Sequence, residues 1–193
     1  MDILNKSGAF TGRIVDYNIR EELEHGIYVS KLARATAHDM HLSQAMVYNI
    51  ALAGLLHDIG KLKLEEEMKA ERESGFLVTE EIKYVRSHAR HSFKILEERG
   101  YPLEILEIVR YHHENYDGTG YPFGMKGEEL PLITRIISAA DALDAMNSNR
   151  CYRKHCDKDY IIGEFEKGAG TQFDPQVAQT VVQLIREEKI VVL

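Results

Sequence analysis

The sequence has no tryptophan, only 4 prolines and only two cysteines among its 193 residues. Two cysteines cannot build the disulfide framework of a small secreted protein. Cys151 and Cys156 flank His155 without a clear fourth zinc ligand, so we expect reduced thiols rather than a zinc site. The longest apolar run, residues 50–56, is far too short to cross a bilayer, and no signal peptide is visible. These absences favour a cytoplasmic protein.

A basic surface for nucleic acid is also lacking. The chain holds 24 basic and 31 acidic residues, which gives a net charge of −7. An acidic chain is a poor electrostatic match for duplex DNA or anionic lipid, so we expect neither as a partner. The hydrophobic fraction of 44% is that of an ordinary globular domain, and a chain of this length can bury a sizeable core.

Alternating strand patterns are missing as well, and the apolar periodicity is helical, as in Ile19, Leu23 and Ile27. The predicted helices cover about residues 19–37, 43–60, 79–100, 102–113, 132–146 and 159–168, with a last helix starting at Asp174-Pro175. Gly60, Gly100 and Gly168 are the predicted stops. Residues 63–78 are expected to form a loop or a short loose helix. The sequence therefore predicts a single all-α domain at residues 19–193, after a poorly ordered segment at 1–18.

Nine histidines stand out against this background. His57 and Asp58 follow an apolar helix, where burying such a pair is costly unless something binds it. Capping of that helix is the alternative explanation. Asp141 lies in the apolar run of residues 136–143, and there a carboxylate is expected to be paired or bound to a metal.

Other candidate ligands occur at helical spacings. Glu21 and His25 are four residues apart and share a helix face, as metal ligands or as a surface pair. His88 borders an apolar stripe, either as a ligand or as a core histidine with its hydrogen bonds satisfied. His112 and His113 would point about 100° apart on a helix, which predicts that they serve neighbouring sites. Together these residues suffice for two or three metal ions.

The order of the motifs resembles the HD-GYP family of HD-domain phosphohydrolases. Residues 57–61 have the sequence HDIGK, and residues 112–122 match the signature HHE-x-x-DG-x-GYP. Further matches are Ala140-Asp141, the Arg150-x-Tyr152-Arg153 stretch and GAGTQFDP at residues 168–175. The resemblance covers about residues 19 to 185.

This resemblance implies an all-α, single helical HD-domain bundle with a multinuclear metal site in its core. It also implies a phosphodiesterase that opens cyclic di-GMP to pGpG and/or GMP with two or three divalent ions, iron or manganese most often. Carried over residue by residue, the metal ligands are Glu21, His25, His57, Asp58, His88, His112, His113 and Asp141. An acid at position 21 is associated with the three-metal form of the site.

The expected mechanism is attack on phosphorus by a hydroxide that bridges two cations. Asp58 would bridge the metals, and Lys61 would stabilise the charged transition state. The expected substrate contacts are Asp117, Gly118, Gly120, Tyr121, Pro122, Arg150 and Arg153, since arginine suits phosphates and guanine edges. In this family the GYP loop is also a proposed contact for diguanylate cyclase domains.

Some features depart from the family pattern. Position 151 is cysteine where the family usually has proline, which would loosen the loop that holds both arginines. Residues 62–78 are charged, lack the usual prolines and suggest a lid. No receiver, sensor or cyclase domain is expected in the chain. The remaining histidines match no ligand position and are expected at the surface or behind the ligands: His38, His41, His91 and His155.

Three alternatives stay open. One is a nucleotidase of the HD type that acts on mononucleotides or an alarmone, and another is a cyclic GMP-AMP hydrolase. The third is a catalytically silent module that binds a cyclic dinucleotide or docks a partner. Degenerate relatives usually lose ligands, whereas all eight positions are filled in this sequence, which favours an enzyme.

Overall fold

The computed structural model describes residues 19–64, 66, 81–147 and 157–192, without the side chains of 81–85. These residues form seven α-helices: α1 Ile19–Asp39, α2 Gln44–Leu56, α3 Glu81–Glu98, α4 Leu103–Tyr111, α5 Leu132–Asn147, α6 Lys158–Gly168 and α7 Pro175–Arg186. A 3-10 turn occupies Gly127–Glu129. The described residues contain no β-strand, only an isolated bridge between Ala169 and Phe173. The all-α prediction is therefore confirmed.

The helix starts follow the capping residues found in the sequence. The Ser43 hydroxyl accepts a hydrogen bond from the Met46 amide at 3.3 Å, at the start of α2. The Asp174 carboxylate accepts bonds from the amides of Gln176 and Val177 at 2.7 and 3.1 Å, so it caps α7. Such caps satisfy amide groups that have no partner inside the helix.

Gly60 does not end α2, so that prediction was wrong. The helix ends at Leu56, and residues 60–64 are helical again. A Cβ atom on Gly60 would lie 2.1 Å from the His88 carbonyl oxygen and 2.4 Å from the Ser92 amide nitrogen. The Gly60 amide donates to the Ser92 hydroxyl at 2.8 Å. Glycine is needed there because the chain passes directly against the backbone of α3.

The packing of α1 on α2 is similarly close. A Cβ atom on Gly54 would come within 2.8 Å of the Ser30 Cα atom. The Ser30 hydroxyl donates to the Ala51 carbonyl oxygen at 2.7 Å and ties the two helices together. This contact brings His25 on α1 beside His57 at the end of α2.

Helix α5 lies at the centre of the bundle and contacts α1, α2, α4, α6 and α7. Its Ile136, Ile137 and Leu143 side chains are buried, so Asp141 is carried on a helix that most of the core surrounds. None of the described helices is both long and apolar enough to cross a membrane. Segment 1–18, most of the suggested lid and the arginine loop lie outside the described residues.

Candidate metal centre

Six side chains form two groups around Asp58. The aspartate group consists of His25 from α1, His57 after α2 and Asp141 from α5. The histidine group consists of His88 from α3 and of His112 and His113 after α4. Within the aspartate group, and within the histidine group taken with Asp58, one potential ligand atom per residue lies within 4.8 Å of the others. Ligand atoms that bind the same first-row metal ion, each about 2.0–2.2 Å from it, lie at similar distances from one another.

Asp58 presents one carboxylate oxygen to each group. Its Oδ2 atom lies 3.3 Å from His57 Nε2 and 3.5 Å from His25 Nε2. Its Oδ1 atom lies 3.1 Å from His88 Nε2 and 3.8 Å from His112 Nε2. Oδ1 is buried and makes no hydrogen bond of acceptable geometry. A buried carboxylate oxygen in this state is costly, and two cations held on either side of Asp58 would satisfy it.

The histidine rings are oriented as metal ligands are. His57 and His112 each donate Nδ1–H to the backbone carbonyl oxygen three residues earlier, at 2.8 Å. Each Nε2 atom therefore faces the centre. His88 Nε2 lies 3.3 Å from His112 Nε2 and 2.9 Å from His113 Nε2. A cation placed among these converging nitrogens would be a better partner for their lone pairs than another nitrogen, so the residues fit a metal site.

His25 is supported by a carboxylate instead of a carbonyl. Its Nδ1 atom lies 2.5 Å from Asp144 Oδ2, and its Nε2 atom lies 3.2 Å from Asp141 Oδ1. Asp144 is buried and was missed in the sequence analysis. The available signal was its spacing of three residues from Asp141 on an apolar helix, which places both carboxylates on one helix face.

The aspartate group is rich in negative charge. Burial alone would lower the pKa of His25, but hydrogen bonds to Asp141, Asp144 and Asp58 raise it to about 11. Burial would likewise lower the pKa of His57, but Asp58 and Asp141 raise it to about 10. Burial favours the neutral acids, yet the neighbouring imidazoles hold the pKa of Asp58 and of Asp141 well below the usual range. Without metal, this group therefore holds imidazolium–carboxylate pairs.

The histidine group behaves in the opposite way. Burial, followed by the neighbouring His113, His57 and His88 rings, lowers the pKa of His112 well below its usual value. Burial and His88 lower the pKa of His113 to about 4. Both rings are therefore neutral at pH 7 and ready to act as nitrogen ligands.

The two adjacent histidines serve one group, which contradicts our expectation of neighbouring sites. Helix α4 ends at Tyr111, so His113 lies in the following turn and is free of the helical 100° rotation. The ring centroids of His112 and His113 lie 4.0 Å apart. Both rings consequently face His88.

A cation from the protein borders the centre. Lys61 Nζ lies 2.5 Å from Asp58 Oδ2 and 2.9 Å from Glu22 Oε2. Burial would lower the pKa of Lys61, but Asp58 and Glu22 raise it, so the side chain stays an ammonium. A cavity of about 250 Å³, lined in part by Leu23, reaches Lys61 and Asp58 from the side of α1. Glu21 is exposed and belongs to neither group, whereas Glu22, which the sequence analysis missed, contacts the centre.

The loop after His113 is tied to the centre. The buried Glu114 carboxylate accepts bonds from the Phe123 amide at 2.6 Å and from the Gly124 amide at 3.1 Å. The Tyr121 ring stacks on the His113 ring with 4.9 Å between centroids. The Arg86 guanidinium lies 5.1 Å from the Tyr121 ring centroid. The loop therefore packs one of its aromatic rings directly on a candidate metal ligand.

The predicted substrate contacts are distributed as follows. The half-buried Asp117 accepts bonds through its carboxylate from the Thr119 amide and hydroxyl at 2.9 and 2.6 Å, so it shapes the turn. Gly118 has a φ of +82°, which favours glycine. A Cβ atom on Gly120 would lie 2.3 Å from the Asn115 amide nitrogen. Pro122 is exposed and Tyr121 half-buried. Arg150 and Arg153 lie outside the described residues.

Comparisons with known proteins agree with this geometry. Residues 3–177 match the family model described as HD domain. The chain is 33% identical over 174 residues to a cyclic di-GMP phosphodiesterase of Thermotoga maritima. The aligned residues cover 89% of this chain and 47% of the relative. It is also 33% identical over 165 residues to a 3′3′-cGAMP-specific phosphodiesterase of Vibrio cholerae. Here the aligned residues cover 86% of this chain and 35% of the relative.

A solved structure confirms the fold. The "HDG"Y"P" protein of Bdellovibrio bacteriovorus superposes with a TM-score of 0.66 at 18% identity, over 86% of this chain and 52% of that one. The chain spans less than half the length of the curated relatives described above.

Proposed function

Because the chain belongs to the HD domain family and carries the HD-GYP signature, we propose that it is a metal-dependent phosphodiesterase that hydrolyses cyclic di-GMP. The observation that carries the proposal is Asp58, a carboxylate with one oxygen directed at each of two ligand groups, of which Oδ1 is buried without a hydrogen bond. Two cations about 3.5–4 Å apart are the usual arrangement for hydrolysis of phosphate diesters, and a single bridging carboxylate suits that spacing.

The donor set supports iron or manganese as the metal. When bound, two divalent cations would polarise a phosphate and lower the pKa of a water molecule. His25, His57 and Asp141 form the set of two imidazoles and one carboxylate that non-haem iron sites use. Glu21, exposed near His25 on the same helix, is the proposed ligand of a third cation.

Lys61 is the proposed electrostatic catalyst. Its raised pKa excludes it as a base at neutral pH, so it would act as a fixed ammonium beside the charge that develops on the phosphate. Glu22, at 2.9 Å from the ammonium, would help to orient it. We expect Lys61→Ala to lower kcat about 100-fold with the metal content unchanged, as for loss of one transition-state donor.

The substrate would lie between the centre and the GYP loop. Tyr121, next to His113, is the best-placed loop residue, since burial raises the pKa of its hydroxyl to about 12 and keeps it a neutral donor. Gly118, Gly120 and Pro122 would set the path of this loop, with Asp117 holding its turn. Arg150 and Arg153 are the proposed phosphate and guanine contacts.

The test is turnover by the full chain, purified without oxygen and loaded with Fe²⁺ or Mn²⁺. Cyclic di-GMP should be converted to pGpG or GMP, with two or more ions per chain by elemental analysis. Asp58→Ala should abolish turnover, while Asp159→Ala, which removes an exposed aspartate at the start of α6, should leave turnover unchanged. Turnover that persists in Asp58→Ala would overturn the proposal.

Cyclic GMP-AMP is the second candidate substrate, because one relative is named for that activity. Parallel assays with cyclic di-GMP, cyclic GMP-AMP and cyclic di-AMP decide among the dinucleotides. A mononucleotide and an alarmone in the same panel test the nucleotidase alternative. Binding without turnover of any substrate would favour a silent module.

The GYP loop also offers a docking surface for diguanylate cyclase domains. Phe123 is 56% exposed, and the Arg110 guanidinium lies 4.8 Å from its ring centroid. Phe123→Ala should weaken co-purification with a cyclase domain and leave the hydrolysis rate unchanged. Equal co-purification of the variant and the unaltered chain would contradict this role.

A further inference from the structure

A basic groove lies on the side of α1 that faces away from the metal centre. It is a cavity of about 780 Å³ between α1, α2 and the residues that follow α7. Lys31 and Arg34 line it from α1. At 100° per residue these two side chains lie about 240° and 180° around the helix from His25. The groove is therefore separate from the centre that binds the proposed substrate.

The charge of the groove is unusual for an acidic chain. Four basic side chains line it, Lys31, Arg34, His38 and Lys189, against one acidic side chain, Asp39. Lys189 is paired with Glu187 at 2.7 Å and with Asp39 at 3.3 Å, so its charge is balanced. Among the residues that the structure describes, neither Lys31 nor Arg34 has an ion-pair partner.

Some exposed basic residues elsewhere have carboxylate partners, whereas others, such as Lys94 and Arg99, have none among the described residues. Arg20, Lys167 and Arg186 each lie within 3.0 Å of a glutamate oxygen. Lys31 and Arg34 leave a local positive charge in the groove that no carboxylate of the described residues balances by an ion pair. A phosphate group would balance it, and arginine suits phosphate especially well.

The rest of the groove suits a base and a sugar. Tyr48 is 68% exposed and lines the cavity, which leaves a ring face available for stacking. The floor is apolar, formed by Ala35, Val47, Ala51 and Leu184. The volume falls in the range of about 300–1,000 Å³ that is typical of small-ligand sites.

We infer that the basic groove binds a phosphate-bearing nucleotide at a second site, outside the metal centre. The phosphate lies between Lys31 and Arg34, and the base stacks on Tyr48. Base–aromatic stacking tolerates any base, so the groove selects for a nucleotide phosphate without selecting for guanine.

The test is equilibrium dialysis of radiolabelled 5′-GMP against the metal-loaded full chain. The double variant Lys31→Ala/Arg34→Ala should bind one GMP fewer per chain than the unaltered protein. This difference is expected whether or not the metal centre also binds GMP, so the result is independent of the proposed function. The matched control, Lys94→Ala/Arg99→Ala, removes the same charges from one exposed position on α3 and one directly after it.

A second variant separates the nucleotide from its phosphate. Tyr48→Ala should weaken GMP binding about tenfold and leave the binding of inorganic phosphate unchanged. An unchanged GMP stoichiometry in Lys31→Ala/Arg34→Ala, or an equal loss in the control, would overturn the site. Equal affinities for GMP and inorganic phosphate, with no effect of Tyr48→Ala, would overturn the assignment to a nucleotide. Hydrolysis of cyclic di-GMP should be unaffected in all of these variants.

Discussion

The aspartate group and the histidine group share Asp58, but they are built differently. His25 in the aspartate group is supported by the Asp144 carboxylate, and its pKa is raised to about 11. The nearest counterpart in the histidine group, His113, stacks on a tyrosine, and its pKa is lowered to about 4. In the absence of metal, His25 and His57 in one half therefore hold protons, whereas His112 and His113 in the other half are neutral.

The difference shows that a symmetric bridging ligand does not make two equivalent sites. A cation that enters the aspartate group must displace protons and is then held by several negative charges. A cation that enters the histidine group meets the neutral nitrogens of His112 and His113 and a single shared carboxylate. We therefore expect the two sites to differ in affinity, in pH dependence and in sensitivity to mutation.

The largest effect is expected from Asp58→Ala, which removes what the two halves share. Hydrolysis should fall by on the order of 10³-fold or more, because both cations lose a ligand and their spacing is no longer set. Elemental analysis should find fewer than two ions per chain. Two tightly bound ions in Asp58→Ala would show that the halves are independent.

The next effect comes from variants that remove one half. His25→Ala and His113→Ala should each retain one cation and lose about 100-fold or more in kcat, since hydrolysis needs both. The unfolding midpoint of each metal-loaded variant gives the control for folding. Complete loss of metal in both variants would contradict the assignment of separate halves.

A smaller effect is expected from Asp144→Asn, which keeps the shape and changes the charge behind His25. Loss of such a supporting carboxylate typically weakens metal binding by about 10–100-fold. The loss should be confined to the cation of the aspartate group, as measured by chelator competition in the His113→Ala background. The same substitution in the His25→Ala background should have little effect.

The smallest effect is a difference in pH dependence. With pKa values of about 11 and 10, His25 and His57 carry protons at pH 7 in the metal-free chain. The affinity of the aspartate group should therefore rise between pH 6 and 8, by up to about tenfold per pH unit for each proton displaced. With a pKa of about 4, His113 is already neutral in this range, so the histidine group should respond little. Equal slopes in the His113→Ala and His25→Ala variants would remove the distinction.

Much of the fold could be predicted because its signals are local. The 3.6-residue periodicity and caps such as Ser43 and Asp174 depend on neighbouring residues only. Gly60 could not be interpreted in this way. Local rules interpret a glycine at a helix end as a stop signal. Glycine is required at this position for another reason, a backbone contact with α3, about thirty residues later in the chain.

The same limit applies to the site. His57 and Asp58 were recognisable because a charged pair follows an apolar helix. Asp144 and Glu22 were not, because each acts on a residue from another part of the chain, His25 and Lys61 respectively. Recognising that Glu22 reaches Lys61 requires the exact rotation of α1, which the sequence leaves open.

The contacts that build the two groups also differ in how far they reach along the chain. His88 and His113 are 25 residues apart, whereas His25 and Asp144 are 119 residues apart and belong to α1 and α5. Loop closure over the longer distance costs roughly 1 kcal/mol more. A cation in the histidine group would join the segment after α2 to α3 and to the end of α4, whereas one in the aspartate group would tie the first helix to the fifth. The second would act as a reversible cross-link across most of the domain, and its occupancy would report that α1, α2 and α5 have assembled.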